Sequence, residues 1–262
     1  MYQKTSKRIA NALRDPPQNG AEKSSGEDLL GDLIRLHKQR PAFKETYLRR
    51  LAVTNFGAGH ETMCSALTAA MAMIGTHSEV LRKVVDEVRD TTRSSSYDDT
   101  STRFPYTQAS IKEAQRLYPV IGMSLSRKVP RTGLVLDGRF FPPGTTVGCN
   151  PVALHTNVDL FGDDADEYRP GRWLQDDKHD TVRAMDRTNL TWGGGMRRCP
   201  GRHLAELVMH KVVPALIKEF DLEITSLPGD SEMPCYFMAM MTGVKARFLP
   251  VTKNDGCMKG SA

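Results

Sequence analysis

Between Glu27 and Lys38, Leu29, Leu30, Leu33 and Leu36 recur at helical spacing among charged residues, which predicts an amphipathic helix with one apolar stripe on a core. Ahead of it, Met1 to Arg14 is polar and basic with scattered apolar residues, and reads as a short opening helix. Asp15 to Gly26 is rich in Pro, Gly, Asn and Ser and reads as a flexible connection. From Ala42 to Thr76 the chain lacks proline and stays helix-compatible, which predicts one long helix weakened in the middle by Gly57 and Gly59. Val80, Leu81, Val84, Val85 and Val88 then mark the apolar face of a helix over Ser78 to Arg89, followed by a polar loop from Asp90 to Arg103. A helix over Thr107 to Tyr118 is stopped by Pro119, which cannot continue the backbone ladder.

Beyond Pro119 the pattern changes. Gly, Pro and β-branched residues dominate up to Asn150, and LVLDGRFF and TTVGCN read as short strands joined by a turn at Pro142, Pro143 and Gly144. An irregular segment leads to Cys199. His203 to Phe220 then reads as a helix with Leu204, Leu207, Val208, Val212 and Leu216 on one face, and Tyr236 to Pro250 as a terminal hairpin. The chain is therefore expected to be mainly α with a small β portion: residues 1–26 as helix and connection, 27–250 as the body, and 251–262 as a flexible tail.

Composition narrows the function classes. With 39% hydrophobic content over 262 residues a packed core is allowed. The 36 Lys and Arg stand against 31 Asp and Glu and are spread along the chain, so the formal charge of +5 points to a solvated surface rather than to nucleic acid. Cys64, Cys149, Cys199, Cys235 and Cys257 are odd in number, scattered and without a CxxC pair, which favours an intracellular, reducing setting over a disulfide framework or a zinc site. Charged residues interrupt every apolar window before the roughly 18 to 20 residues of a membrane span, and no leader is expected at the start.

The densest chemical signal is Trp192-Gly193-Gly194-Gly195-Met196-Arg197-Arg198-Cys199-Pro200-Gly201. Consecutive glycines let the main chain approach a flat ligand closely. Cys199 lies just ahead of a predicted helix start, where free N–H groups and the helix dipole favour an anion, and Pro200 suits a first turn. A buried cysteine in a glycine-rich turn is the default for any lone cysteine, but the spacing in this segment is already specific. Three further patterns accompany it. Glu113 and Arg116 are three apart and share a helix face; Tyr168-Arg169-Pro170-Gly171-Arg172-Trp173 carries another arginine; Ala58-Gly59-His60-Glu61-Thr62 sets small residues before an acid and a hydroxyl. Singly, these are also what a solvated ion pair or a helix crossing would show.

Together and in this order they resemble the cytochrome P450 family. Gly195, Arg197, Cys199 and Gly201 match its haem-binding loop F-x-x-G-x-R-x-C-x-G, with Trp192 in place of the usual Phe. Glu113-Ala114-Gln115-Arg116 matches ExxR, Arg172 the third member of the Glu-Arg-Arg triad, and Ala58 to Thr62 the oxygen-activation motif, with Met63 where Thr or Ser is common. The resemblance implies that Cys199 is the axial thiolate of haem b, an iron protoporphyrin IX, and that this thiolate favours O–O cleavage. Arg197, Arg127 and His155 are expected at the haem propionates, and Gly195 and Gly201 beside the macrocycle. It further implies that Thr62 donates to dioxygen after bonding the Ala58 carbonyl, and that Glu61 relays protons. Glu113, Arg116 and Arg172 are expected to be structural. Met123 and Leu125 lie where the family lines its substrate pocket. Electrons are expected from NADPH through a separate cytochrome P450 reductase, and the substrate is expected to be an apolar small molecule. In style the motifs are similar to fungal monooxygenases that tailor secondary metabolites. The resemblance runs from Glu27 to Pro250 and covers only the family's C-terminal half, so a truncated, inactive relic or partial gene product stands as the alternative expectation; a full-length eukaryotic relative would be anchored at the endoplasmic reticulum.

Overall fold

The computed structural model describes residues 2–14, 28–90, 104–175, 179–229 and 235–251. The expected connection over 15–26, nearly all of the loop over 90–103 and the tail from 252 lie outside the described residues. The chain divides into two compact units, 1–61 and 62–262.

In the first unit, α1 (Tyr2–Arg14), α2 (Leu29–Gln39) and the beginning of α3 (Glu45–Thr76) meet through buried Ile9, Ile34 and Leu48. Asp28 caps α2 by accepting from Gly31 N at 2.7 Å, and so sets the helix start just after Glu27. The buried stripe differs from the leucine pattern: Ile34 is its centre, Leu30 and Leu33 flank it, and Leu29 is exposed. Four leucines within two turns span more of the helix than one contact covers. α3 starts three residues later than composition suggests, because 41–43 form a turn in which Phe43 N donates to Arg40 O. It runs unbroken through Gly57 and Gly59.

The second unit is organised around α5 (Pro105–Leu117), whose Thr107, Ala109, Ser110, Ile111, Glu113, Ala114, Gln115 and Arg116 are all buried. Ile111 and Ala114 join one core with α4 (Ser78–Arg89), the later part of α3, α9 (Arg202–Glu219) and β5 (Phe220–Ser226). Ala109 joins another with Phe161 of α7 (Val158–Phe161), Trp173 of a 3-10 turn (Pro170–Leu174), and Met185 of α8 (His179–Thr188). α6 (Pro151–His155) precedes α7 in the chain and packs on α5. None of α6, α7 and α8 was expected from the sequence, since short or strongly charged helices carry little apolar periodicity.

Two polar devices fix helix ends. Glu87 of α4 accepts from Tyr106 N, Thr107 N and Thr107 Oγ1 at 2.9, 2.8 and 2.6 Å, so it caps α5 from a neighbouring helix. Arg89 donates to Ile217 O and Phe220 O and pairs with Asp221, closing the end of α9. The buried face of α9 is Met209, Val213 and Ile217, one residue round the helix from the expected stripe, and Leu204 is exposed. The internal Pro214 is itself buried.

The strands pair differently from expectation. Leu134–Leu136 (β2) and Arg139–Phe141 (β3) form a hairpin by themselves, turning at Asp137 and Gly138 with φ of 48° and 70°. Asp-Gly at two left-handed positions is a favoured two-residue turn. The bend at Pro142 to Gly144 leads instead to β4 (Thr146–Cys149), which pairs antiparallel with β1 (Leu125–Lys128). Likewise β6 (Lys245–Pro250) pairs with β5, immediately after α9, rather than within 236–250. β2, β3 and β4 fall in the segments expected as strands, whereas β1 and β5 lie where a local reading gives loop and helix end.

Glu87→Ala is expected to destabilise the chain by about 1–2 kcal/mol, the scale of a lost helix cap, and Glu87→Gln by less. Urea denaturation followed by far-ultraviolet circular dichroism measures both; unchanged midpoints would contradict the capping role.

Candidate functional site

At the centre of α5, Glu113 is wholly buried and accepts five hydrogen bonds. Arg116 donates through Nε and Nη2 at 2.9 and 2.8 Å, Arg172 Nε at 2.7 Å, Trp173 Nε1 at 2.8 Å and Arg169 N at 3.2 Å. Both guanidiniums are also spent on the main chain. Arg116 reaches the carbonyls of His155, Ala165 and Glu167, and Arg172 those of Phe161 and Asp164. Arg172 Nη1 pairs with Asp164 Oδ1 at 3.0 Å and Arg169 with Oδ2 at 2.5 Å. Burial pushes the Asp164 carboxyl up, but its hydrogen bond to Arg172 and the charges of Arg172 and Arg169 win and hold it below the usual value. Trp173 and Asp164 were not picked out from the sequence. Trp173 had a signal, an indole N–H that needs a partner when buried beside Arg172; Asp164, in a run of acidic loop residues, had none.

The same helix reaches the cysteine segment through His155. Its Nδ1 lies 2.9 Å from Arg116 O, and its Nε2 accepts from Leu190 N at 2.8 Å. His155 is fully buried at the end of α6. Both ring nitrogens are taken within the protein, which leaves neither for a propionate and corrects that expectation. Burial and the Arg116 charge push its ring down to about 4, against opposing effects of the Arg116 carbonyl and Glu113. Thr191 Oγ1 adds a longer contact of 3.4 Å to Gln115 O.

From Leu190 the chain forms a glycine loop. Gly193 and Gly195 have φ of 70° and 59°, conformations that disfavour any residue with a Cβ. Gly193 N donates to Leu190 O, and Cys199 N donates to Trp192 O at 2.9 Å, which folds the loop back on itself. Cys199 is exposed and is a free thiol. Pro200 lies one residue before the Gly201 cap of α9, rather than in its first turn. Arg127, on β1, donates to Gly194 O at 3.2 Å and to Ser126 O, so its guanidinium rests against the loop. Arg197 and Gly195 are exposed, and a Cβ on Gly195 would meet nothing within 4 Å.

Beside the loop is a hollow of about 440 Å³ with walls of Leu125, Leu136, Val147 and Leu190, joined by Arg127, Cys149 and Gly194. The hollow's apolar walls, bare Gly194 backbone and Arg127 guanidinium, with the accessible Cys199 sulfur further along the same loop, suit a flat, largely apolar macrocycle that carries carboxylates and a metal taking a soft ligand. Cys199 would hold that metal, and Arg127 and Arg197 the carboxylates. The boundary between the two units falls between Glu61 and Thr62, which follow one another on α3 with Glu61 exposed and Thr62 half-buried. Met123 is exposed and Leu125 half-buried. Among the described residues no helix is long and apolar enough to cross a membrane, and no cluster of three His, Cys, Asp or Glu side chains could hold a metal ion.

The chain matches the family model described as Cytochrome P450 over residues 2–247. It is similar to the cytochrome P450 monooxygenase sdnT of Sordaria araneosa, with 53% identity over 95% of this chain and 49% of that protein. It is also similar to a cytochrome P450 monooxygenase of Aspergillus terreus, 35% identical over 74% of this chain and 40% of that protein. A pisatin demethylase of Fusarium vanettenii is 35% identical over 75% of this chain and 38% of its own length. The chain thus spans half or less of the length of these relatives.

Arg172→Ala is expected to cost about 3–5 kcal/mol, because it removes one of the two guanidiniums that compensate the buried Glu113 carboxylate and leaves the Phe161 and Asp164 carbonyls without this donor. Arg172→Lys is expected to recover only part, since an ammonium lacks the fork that serves Glu113 and the backbone together. Denaturation midpoints measure both; a loss below about 1 kcal/mol would mean that the network is dispensable.

Proposed function

The chain belongs to the cytochrome P450 family, and we propose that it is the haem-binding part of a monooxygenase that inserts one oxygen atom from O2 into an apolar small molecule. The observation that carries this reading is the exposed Cys199 thiol in a glycine loop closed by its own backbone, with Arg127 against Gly194 and an apolar hollow alongside. Bound haem b would supply dioxygen activation and oxygen transfer.

The chain's own residues do the rest. The Cys199 sulfur would hold the iron, while Arg197 and Arg127 would bind the propionates by charge-assisted hydrogen bonds. Gly195 and Gly201 keep the loop free of side chains where the macrocycle approaches. Glu61, exposed on α3, would relay protons from solvent, and the Thr62 hydroxyl would donate to the reacting oxygen. With bound haem, a separate reductase would supply the two electrons from NADPH, and the second oxygen atom would be released as water. Met123 and Leu125 meet the substrate's apolar surface. The fungal relatives support a place among enzymes that tailor secondary metabolites. The scattered cysteines, free wherever described, support an intracellular setting.

The decisive measurement is the difference spectrum of the haem-reconstituted, dithionite-reduced chain with carbon monoxide. The wild type is expected to give the red-shifted Soret band of a thiolate ligand, and Cys199→Ala to lose it. The same band in both proteins, or none in either, would refute ligation by Cys199 in this chain. In a whole enzyme containing this chain, Thr62→Ala is expected to lower product formed per NADPH at least several-fold while keeping the band.

A further inference from the structure

We propose that His155 is a positioning residue for the cysteine loop, joining the loop's first residues to the buried Glu113 network, and that a second ring proton opens this joint. The spectroscopic consequence rests on Cys199 as haem ligand; the structural one does not.

The partners dictate the tautomer. A carbonyl only accepts and a backbone N–H only donates, so the Arg116 carbonyl requires a proton on Nδ1 and Leu190 N–H requires a lone pair on Nε2. A doubly protonated ring would set two donors against each other at Leu190 and strand a half-buried amide. The consequence passes along the backbone. Leu190 O accepts from Gly193 N, and Trp192 O accepts from Cys199 N, so the Leu190 bond stands at the head of the chain of contacts that shapes the loop. Among the described residues, the direct hydrogen bond from 189–191 to α5 is the longer Thr191 to Gln115 contact. The other end of the joint is rigid: Arg116 grips His155 twice, with its carbonyl on the ring and its guanidinium on the His155 carbonyl.

The groups facing the ring decide where it titrates. From α5 come the Arg116 charge, which opposes protonation, and the Glu113 carboxylate, which favours it; from α7 comes the uncharged Phe161 ring, and from 189–191 the Leu190 N–H. Burial is the largest influence and also opposes protonation. With a ring near 4 when attached and near 6.5 when released, the fold binds fewer protons than the released state in that interval. Attachment is therefore complete above about pH 6.5 and lost as pH falls toward 4. Between pH 7 and 4.5 such a ring shifts the equilibrium toward release by a few tens of fold.

The test is amide hydrogen exchange across 189–199 in the full chain at both pH values, corrected for intrinsic exchange and referred to α9. His155→Gln offers Leu190 an acceptor that does not titrate, and His155→Leu offers none. In the wild type, protection of 189–199 is expected to fall about tenfold or more at the lower pH. His155→Gln should hold its protection at both, and His155→Leu should already lack it at pH 7. Equal protection and equal pH dependence in all three would overturn the proposal. Should His155→Leu fail to fold, the comparison of wild type with His155→Gln decides alone. In the haem-loaded, carbon monoxide-bound form, the thiolate-type band should be lost on acidification in the wild type before His155→Gln. If no protein shows that band, haem ligation fails while the exchange result still judges the joint.

Discussion

A single carboxylate deep inside the protein constrains much of the second unit. An unpaired Glu113 would be among the most unfavourable groups to bury, and five donors from two segments, α5 itself and 169–173, compensate it. Each donor must arrive at a set place, so the requirement propagates outward. Arg116 and Arg172, once fixed, draw in the carbonyls of Phe161, Asp164, Ala165 and Glu167. An irregular stretch with little regular secondary structure is thereby held by hydrogen bonds that an apolar core could not have directed.

This explains how α5 can be buried on nearly every face despite a sequence as polar as TQASIKEAQR. Its charges meet charges, Gln115 donates to the Met209 sulfur at 3.2 Å, Ser110 donates to Tyr106 O, and Tyr168 donates to Ser110 O. Burial and the nearby Glu113 charge push the Tyr168 phenol well above its usual range, although its hydrogen bond to Ser110 acts the other way, so it is a donor at neutral pH. Glu87 closes the helix at its start. With both faces packed and its start capped, α5 is a rigid reference for whatever is attached to it.

The long elements were legible because apolar periodicity reports burial directly: α4 shows it in Val80, Val84 and Val88, and each is buried. Pairing between strands was not, because β1 and β4 are four residues each and β5 follows α9 without a break, so neither carries a pattern of its own. The Asp-Gly turn of β2 and β3 was legible but was outweighed by the neighbouring prolines. At the site, the motif residues stand out through their spacing, whereas Trp173, Asp164 and Glu87 act across sequence gaps that no spacing rule spans. His155 shows the opposite failure. A histidine near a charged site suggests contact with a ligand, and only burial and two bonded nitrogens reveal that it faces inward.

Most of the contacts that hold the cysteine loop use its backbone. Leu190 contributes an N–H to His155, Trp192 a carbonyl to Cys199 N, and Gly194 a carbonyl to Arg127. Thr191 is the exception, donating through its hydroxyl to Gln115 O and to Asn189. Main-chain attachment separates the shape of the loop from the identity of its other side chains. Trp192, where the family usually has Phe, is therefore compatible with the same loop, because the carbonyl bonded to Cys199 N is common to both residues. The glycines are not replaceable on the same terms, since Gly193 and Gly195 occupy backbone conformations that a Cβ opposes. A loop built in this way can vary the surroundings of its sulfur while keeping the sulfur in place, provided that its glycines and the inward-facing histidine are retained.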